Sequence, residues 1–576
     1  MSEVPSQHSN APSEQTTRIF AAVVVAVAAL AAYHNCFDVP FIFDDVPSIV
    51  QNPTIRRLWP ISTVFHPAQG TGFTVEGRPI LNLSFALNYA VSGTAVWSYH
   101  LVNLGILIAS ALALLGIVRR TLARIPGQAN SLGIAVAAAL IWELHPLQTE
   151  SVTYVVQRAE SLMGLFYLFT LYAFIRGTED AGDANRGRAA AWRTASWAAC
   201  LLGMATKEVT VTAPVIVFLY DRTFVAGSFR SAWQRRGSYY LALAATWALL
   251  FVLVIGAGNR AGTIGTSAGV TSWQYALCQC RAIVHYLRLS FWPEPLILDY
   301  GADFVRNVGD VIPYAILDIA LLAATAVALR RRPALGFLGA WFFLILAPTS
   351  SFVGGSRQML AEHRMYLSLA ALAVGCVYFL HAALGRRGLY AILPIVVALG
   401  FTTLARNEVY RSPVTLFRDL VAKRPLNAWA EMDLGYYLQQ AGRISEAVAH
   451  YHNSIYIDPK LSEAHFDLAN ALVLQRRLQE ANAEYEISLR ITPTNILGWY
   501  NLACSQSLLG LKEAAVANFG AALRLAPDYA SAHYRLGIVL LQLGRTTEAA
   551  AEFNAVLKLR PGFRPALEQL NYLSRL

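Results

Sequence analysis

Long apolar segments alternate with short polar ones over the first two thirds of the chain. Most of these segments approach the roughly 17–25 residues that a helix needs to cross a bilayer. They lie at about 19–36, 98–118, 132–147, 155–175, 190–205, 208–221, 237–256, 311–329, 334–350, 366–385 and 389–404. This pattern predicts an all-α, polytopic membrane domain over residues 19–405 with about eleven crossings.

The arginines between these segments are distributed unevenly. Strong clusters fall only in alternate loops, around 119–120, 176–193, 222–236, 330–332 and 386–387. Because basic loops tend to stay in the cytoplasm, residues 1–18 are predicted to be a cytoplasmic leader. The long first loop, 37–97, then lies on the non-cytoplasmic side together with everything after residue 405. This topology requires that the stretch 273–292, which contains three basic residues, lies at the interface without crossing.

The C-terminal part of the chain repeats itself every 34 residues. The repeat carries a proline, a leucine, an alanine and an aromatic residue at fixed positions, the prolines being Pro425, Pro459, Pro493, Pro527 and Pro561. A 34-residue period with these residues is typical of the tetratricopeptide repeat, a helix pair that stacks into a solenoid. We predict a repeat domain over 406–576 with four full repeats at about 426–561 and a capping helix.

One polar position recurs in the first helix of each repeat. It holds Asp433, Asp467, Asn501 and Arg535. These side chains are candidates for a concave groove that binds an extended polypeptide or a partner protein. The alternative is that they are ordinary solvated helix positions.

Composition supports a membrane protein and limits the chemistry. Hydrophobic residues make up 55% of the chain and charged residues 14%, with a mean hydropathy of +0.41. The net charge of +10 is explained by the basic loops, so no nucleic-acid partner is expected. Neither a glycine-rich phosphate loop nor a zinc motif is present, and the six cysteines form no disulfide framework.

Two adjacent carboxylates, Asp44 and Asp45, follow the first apolar segment. Carboxylates beside a membrane are costly to desolvate, so they are candidates for proton transfer, or for holding a divalent cation. The alternative is a solvated loop pair. In the same loop Arg78 is a candidate phosphate ligand, because its planar guanidinium donates paired hydrogen bonds, and His100 follows.

Further polar residues occur on the same predicted side. The second group comprises His145, Glu150, Arg158, Glu160, Lys207, Glu208 and Arg364. Charged groups in membrane segments normally face a cavity or each other, whereas interfacial anchoring is the commoner use of lysine and arginine there. Together with the acid pair, these cations suit a lipid-linked phosphate donor and an acceptor that must lose a proton.

The order of these motifs resembles one family. The motifs are Phe43-Asp44-Asp45, Gly77-Arg78-Pro79, Tyr99-His100-Leu101-Val102-Asn103, His145-Pro146, Thr149-Glu150-Ser151-Val152, Arg158-Ala159-Glu160, Lys207-Glu208 and Glu362-His363-Arg364-Met365-Tyr366-Leu367. In this order they resemble the transmembrane and tetratricopeptide-repeat protein O-mannosyltransferases, which are polytopic glycosyltransferases of the GT-C class. The resemblance spans nearly the whole chain.

The resemblance implies transfer of a mannosyl group from a polyprenyl-phosphate sugar to a protein Ser or Thr hydroxyl, outside the cytoplasm. It implies an acidic residue of the first loop, Asp44 or Asp45, as the base, with Arg78, Arg158, Lys207 and Arg364 as candidates to hold the departing phosphate. The short chain with only four full repeats indicates a bacterial inner-membrane relative, or an endoplasmic reticulum protein in a eukaryote, with the repeats on the periplasmic or luminal side.

Other functions remain open from the sequence. A glycosyltransferase could act on a lipid or glycan acceptor. A membrane-anchored repeat scaffold for envelope or secretory assemblies would need no catalytic residues. A transporter would place Arg158 and Glu160 on the substrate path and would require symmetry between two halves, which the sequence does not display.

Overall fold

The structure, a computed structural model, describes residues 14–67, 74–127, 130–179, 185–256, 271–301, 305, 307–350 and 359–575. Within these ranges the regular structure is helical, and no strand occurs. The all-α prediction is therefore confirmed. The chain forms two compact units, Met1–Ser412 and Pro413–Leu576.

Among the residues that the structure describes, the first unit contains fifteen α-helices. They are α1 Glu14–Tyr33, α2 Ile61–Phe65, α3 Pro79–Ser92, α4 Val96–Leu122, α5 Ser131–Leu144, α6 Thr149–Thr153, α7 Arg158–Glu179, α8 Arg186–Met204, α9 Ala213–Phe224, α10 Phe229–Gly256, α11 Ser272–Phe291, α12 Ile312–Arg331, α13 Pro333–Leu346, α14 Met365–Leu384 and α15 Arg386–Val409. Short 3₁₀ helices occur at Pro146–Gln148, Val155–Gln157, Glu208–Thr212 and Glu362–Arg364, among others.

Fewer helices are long and apolar enough to cross a membrane than the eleven predicted. Seven meet that condition in the described residues, and an eighth span arises if the bent pair Ser131–Leu144 and Pro146–Thr153 counts as one. The other three predicted segments are helices too, but α9 and α13 have only 12 and 14 residues. The helix α8 carries three arginines. Segment 273–292 forms α11 and is not among the candidate spans.

The first predicted loop, 37–97, is folded by buried asparagines. Asn52 and Asn82 are fully buried, and Asn52 Nδ2 donates to Asn82 Oδ1 at 3.0 Å. Asn82 Nδ2 in turn donates to the Val64 carbonyl at 2.7 Å. These bonds hold the chain before α2 and the helix α3 together, so the loop presents a defined surface.

A sharp bend places residues after α5 against the start of α14. The two halves of the bent pair meet at 55°, because Pro146 cannot continue the preceding helix. The buried Trp142 donates Nε1–H to the Tyr366 carbonyl at 2.7 Å, and Gln148 Nε2 donates to the same oxygen at 3.3 Å. This packing brings Glu150 next to the residues that precede α14.

The second unit consists of helix pairs at the predicted period. Its helices are α16 Pro413–Lys423, α17 Ala428–Gln440, α18 Ile444–Ile457, α19 Ser462–Leu474, α20 Leu478–Ile491, α21 Ile496–Leu508, α22 Lys512–Leu525, α23 Ala530–Gln542, α24 Thr546–Leu559 and α25 Arg564–Leu573. The predicted capping helix is α25, and the unit begins at Pro413, eight residues after the predicted boundary at 405.

Small residues let the two helices of a repeat touch. A Cβ atom added at Gly435 would lie 2.7 Å from the Tyr451 ring, and one at Gly537 would lie 2.7 Å from the Phe553 ring. A Cβ at either position would force the ring to shift, so glycine at these two positions lets the aromatic residue of the second helix pack closely.

Candidate active site

The acid pair lies in a strained turn at the start of the first loop. Phe43, immediately before it, has φ 46°, a left-handed conformation that costs a non-glycine residue roughly 1–3 kcal/mol. The Asp44 backbone N–H donates to the Tyr154 hydroxyl at 3.0 Å. Strain of this kind persists only where the surrounding contacts hold the backbone, as the Tyr154 hydroxyl does here.

Two backbone N–H groups hold the Asp45 carboxylate in place. Its side chain is fully buried. One carboxylate oxygen accepts the Ile42 N–H at 3.1 Å and the other accepts the Val156 N–H at 2.7 Å. Burial raises the pKa of Asp45 to about 8, although the hydrogen bonds from both amides oppose this shift. With both oxygens engaged, Asp45 is a positioning residue that ties the first loop to the start of α7.

Asp44 is the carboxylate that remains accessible. Its side chain is partly exposed. Burial, followed by the negative charge of Asp299, raises the pKa of Asp44 to about 6. A carboxylate with a pKa near the working pH is an efficient general base, because it is ionised yet still accepts a proton readily. Of the two carboxylates, Asp44 is thus the more accessible and Asp45 the one held by backbone N–H groups.

A cluster of ion pairs lies where α3 begins beside the end of α8. The Ile80 N–H donates to the Ala205 carbonyl at 3.2 Å, which joins these two segments. Arg78 Nη2 lies 3.2 Å from both carboxylate oxygens of Glu208. Lys207 Nζ lies 2.6 Å from Glu160 Oε1, and both side chains are buried. Burial lowers the pKa of Lys207, opposed by the neighbouring charge of Glu160.

The same cluster continues to the residues that precede α14. His363 Nδ1 lies 2.6 Å from Glu150 Oε1, and the His363 N–H donates to the other oxygen at 3.1 Å. His363 Nε2 lies 3.8 Å from Glu160 Oε1. Arg364 donates to the Tyr275 hydroxyl at 3.2 Å. We call this set the charged cluster: Arg78, Glu150, Glu160, Lys207, Glu208, His363 and Arg364.

Tyr154 links the charged cluster to the acid pair, and the segment Asp299-Tyr300 borders both. Tyr154 accepts the Asp44 N–H and lies within electrostatic range of Asp44, Asp45 and Glu150. Tyr300 donates its hydroxyl to Glu362 Oε1 at 2.8 Å and follows Asp299, the neighbour of Asp44. The acid pair and the cations therefore belong to one connected polar region.

Three predicted substrate-binding residues have structural partners instead. Arg158 is fully buried and donates to Asn103 and Asn88, both at 2.6 Å, to the Tyr99 carbonyl at 2.9 Å and to Ser84. With its guanidinium thus surrounded, Arg158 holds α3, α4 and α7 together and is not placed to hold a phosphate.

The two histidines also make structural contacts, although the buried Nδ1 of His100 has no hydrogen-bond partner in the part of the chain that the structure describes. The ring Nε2 of His100 lies 2.9 Å from the Val39 carbonyl. His145 Nδ1 accepts the Leu147 N–H at 3.2 Å, and Nε2 lies 3.2 Å from the Ser290 carbonyl. A neutral imidazole with the proton on Nε2 satisfies both contacts of His145. Each histidine thus fastens a loop.

A divalent cation at the acid pair finds few ligands. Hard cations such as Mg²⁺ take about six oxygen ligands, but both Asp45 oxygens already accept backbone N–H groups. Within the described ranges no group of three or more His, Cys, Asp or Glu side chains could hold a metal ion. The acid pair as folded therefore offers a divalent cation too few free oxygens.

Tyr154, Asp299, Tyr300 and His363 belong to the region but were not predicted as site residues. His363 stands inside a motif that the sequence singled out, so its neighbours were a usable signal. Tyr154 and Tyr300 lie in unremarkable stretches, and only the folded chain brings Tyr154 to Asp44 and Tyr300 to Glu362.

The predicted groove residues lie on the first helices of neighbouring repeats. Asn501 Nδ2 donates to Asn470 Oδ1 at 3.0 Å, which also accepts the Tyr485 hydroxyl at 2.6 Å. Burial raises the pKa of Asp467 to about 6, opposed by a hydrogen bond from Asn470. Asp433 is partly buried and Arg535 is exposed.

These features define an integral membrane protein with a helical membrane domain and C-terminal tetratricopeptide repeats. A tetratricopeptide-repeat family model matches residues 432–496 and 500–562. Protein O-mannosyl-transferase Tmtc3 of Drosophila melanogaster is 24% identical over 520 residues, which are 77% of this chain and 55% of that protein. Human protein O-mannosyl-transferase TMTC4 is 24% identical over 499 residues, 76% of this chain and 66% of that protein.

The predicted resemblance to the transmembrane and tetratricopeptide-repeat protein O-mannosyltransferase family is confirmed, since such relatives align over most of the chain. A shorter alignment with mouse protein O-mannosyl-transferase TMTC3 reaches 32% identity over 215 residues, 36% of this chain and 22% of that protein. In these three alignments the chain spans less than two thirds of the relative's own length.

Among solved structures, the repeats are similar to YrrB, titled a TPR protein with an unusual peptide-binding site. The match is 22% identical, covers 27% of this chain and 81% of that one, and has a TM-score of 0.26.

Proposed function

We propose that this protein is a membrane glycosyltransferase that transfers a sugar from a polyprenyl-phosphate donor to a Ser or Thr hydroxyl of a protein. The names of the relatives favour mannose as the sugar. The observation that carries the proposal is the pairing of an accessible carboxylate, Asp44, with a connected cluster of buried cations. A non-enzymatic scaffold has no use for buried charges whose desolvation costs stability.

The reaction divides into two tasks that different residues perform. The Asp44 carboxylate takes the proton from the acceptor hydroxyl while the hydroxyl oxygen bonds to the anomeric carbon of the sugar. The bond between that carbon and the phosphate oxygen breaks, and its electron pair leaves with the polyprenyl phosphate. A transition state with positive character on the sugar is stabilised by neighbouring carboxylates.

The departing phosphate gains negative charge and needs cations. Lys207 and Arg78 are positioned for this task because each already neutralises a carboxylate, Glu160 and Glu208 respectively. Exchange of a carboxylate for a phosphate keeps each cation paired, so neither charge is left uncompensated during turnover. Arg364, held by the Tyr275 hydroxyl, is the third candidate.

The repeats complete the proposal by presenting the acceptor. Their first helices carry a ladder of polar and aromatic side chains that suits an extended polypeptide. The arginine pattern supports a location of the acid pair and the repeats on the non-cytoplasmic side, periplasmic in a bacterium or luminal in a eukaryote.

The test compares Asp44→Asn with Asp38→Asn in the full chain. Both variants remove one carboxylate from the same loop, and Asp38 is exposed. Loss of a general base costs about 10²–10⁴ in rate, so D44N should lose that much sugar transfer at unchanged membrane insertion. D38N should keep its activity. The readout is the intact mass of candidate acceptor proteins from cells that express each variant.

Full glycosylation by D44N would exclude Asp44 as the base. If neither variant nor the wild type alters any acceptor, while deletion of the repeats abolishes the cellular function, the scaffold hypothesis is the better one.

A further inference from the structure

A cavity lined by arginines lies away from the charged cluster. It has a volume of about 320 Å³ and opens where α7 ends and where α8 and α10 begin. Four of its eight lining residues are arginines: Arg186, Arg193, Arg235 and Arg236. The volume is at the lower end of the range of roughly 300–1,000 Å³ for small-molecule sites.

The cavity lies at the far end of α7 from the charged cluster. Glu160 is in the first turn of α7, and Gly177, which lines the cavity, is in its last turn. The 17 residues between them span about 26 Å at roughly 1.5 Å per residue, close to the hydrocarbon thickness of a bilayer. The cavity is therefore at the headgroup level of the leaflet opposite the charged cluster. Trp233, 50% exposed in α10, is a residue typical of that level.

The walls of the cavity are held in place by specific contacts. Arg236 binds the fully buried Asp221 with Nε at 2.7 Å and Nη2 at 2.5 Å. The backbone of α10 leaves helical geometry at Arg236, with φ −140° and ψ 23°. A Cβ atom added at Gly177 would lie 3.3 Å from the Ala189 carbonyl and from Arg193 Cγ, so α7 and α8 approach closely. These contacts make the cavity a defined feature of the packed helices.

Within the residues that the structure describes, two of the cavity arginines, Arg193 and Arg235, make no ion pair. Asp221 neutralises Arg236. Arg193 donates Nε–H to the Ala189 carbonyl at 3.3 Å, which removes no charge. Arg235 makes neither a hydrogen bond nor an ion pair with the residues that the structure describes. The 19-residue helix α8 also begins here, at Arg186, and its N-terminal N–H groups add partial positive charge.

We propose that this cavity binds a phosphate-bearing anion, supplied by the headgroup of an anionic lipid or by free phosphate. Guanidinium groups pair with phosphate oxygens through two parallel hydrogen bonds, which a single point charge does not offer. Basic pockets between transmembrane helices are known binding places for anionic headgroups. The site is separate from the proposed transfer reaction, because about 26 Å of α7 lies between them.

The test compares two double variants: one lacks two arginines of the cavity, and the other lacks two arginines elsewhere. The variant Arg193→Gln/Arg235→Gln loses two charges inside the cavity. The control Arg230→Gln/Arg331→Gln loses two charges from exposed arginines that do not line it. Each full-length protein, purified in neutral detergent, is titrated with phosphatidylglycerol, with phosphatidylcholine and with inorganic phosphate. Bound lipid is counted by native mass spectrometry, and inorganic phosphate is followed by thermal shift.

Phosphatidylglycerol should bind the wild type and the R230Q/R331Q control, and should bind R193Q/R235Q at least about tenfold more weakly, since charged hydrogen bonds are lost. If inorganic phosphate also raises the unfolding temperature of the wild type, free phosphate supplies the bound anion. If it does not, the lipid headgroup is the source. Equal binding by both double variants, or equal binding of phosphatidylcholine, would overturn the proposal. Should R193Q/R235Q fail to fold, the exposed single variant R235Q gives the same comparison with R230Q.

Discussion

Lys207 Nζ lies 2.6 Å from Glu160 Oε1, and both side chains are buried. The pair joins the 3₁₀ helix that follows α8 to the first turn of α7. Breaking a buried pair by removing one partner costs about 3–5 kcal/mol, because the other charge is left uncompensated. Replacing both side chains by uncharged groups of similar shape lowers stability much less, because neither charge is then left without a partner.

Lys207→Met should therefore lower stability strongly, and Lys207→Met/Glu160→Gln should recover most of it. Because the proposed role of Lys207 is to hold the departing phosphate, the double variant should stay inactive in sugar transfer. The measurements are the unfolding midpoint in detergent and the transfer rate. A double variant that regains both stability and activity would show that the pair is purely structural.

The rate of sugar transfer should have a bell-shaped dependence on pH. Asp44 acts as base only when ionised, so activity should fall as pH drops below its pKa of about 6. The pKa of Asp45 is raised to about 8, so its contribution to stability is complete below the ordinary pKa of about 4 and is lost as pH rises toward 8. Activity should therefore also fall above about pH 8, because ionisation of the buried Asp45 lowers the fraction of folded protein.

The profile is measured as the rate at saturating donor between pH 5 and pH 9, with Asp38→Asn as the reference for a carboxylate that should not matter. A rate that is flat through pH 6 would argue against Asp44 as the titrating base.

Arg158→Met should damage the fold and leave donor affinity unchanged. The substitution removes the donors that satisfy Asn103, Asn88 and the Tyr99 carbonyl. Lost hydrogen bonds to a charged group cost about 1.5–3 kcal/mol each, so the yield of folded protein should drop sharply. In the folded fraction the KM for the lipid-linked donor should match the wild type, whereas a phosphate ligand would raise it.

Two glycines of the repeats should respond in opposite ways to alanine. At Gly435 an added Cβ would lie 2.7 Å from the Tyr451 ring, while at Gly520, inside α22, the nearest atom would be 3.7 Å away. Gly435→Ala should therefore loosen the first repeat, and Gly520→Ala should stabilise its helix by about 1 kcal/mol. The measurement is hydrogen exchange of the full chain. Gly435→Ala should lower the protection of α17 and α18, and Gly520→Ala should raise the protection of α22. Equal protection in both variants would contradict the packing described for Gly435.

Local sequence patterns predicted the repeats well, because each repeat packs mainly against its immediate neighbours. The spacing of Pro425, Pro459 and their equivalents is enough to place every helix pair. The number of crossings was harder to predict, since α9 and α13 are apolar but too short to span a bilayer alone. Hydropathy does not reveal how a short helix packs among longer ones.

Local sequence patterns also predicted the candidate site only in part. From the sequence, Arg158 and Lys207 are both predicted to be phosphate-holding cations at the ends of membrane segments. Their roles differ because Arg158 meets Asn88 and Asn103, 70 and 55 residues away, whereas Lys207 meets a carboxylate. Glu150 and His363 are 213 residues apart, so no local pattern could pair them.

The anchoring of Asp45 has a consequence for biogenesis. Its carboxylate bonds Ile42 beside it and Val156, which lies 111 residues further along. A chain emerging from the ribosome cannot close this contact until the segment that begins at Val155 has been made. A chain that ends before this segment therefore lacks the anchored acid pair, and Asp44 reaches its final place only after the segment has been made.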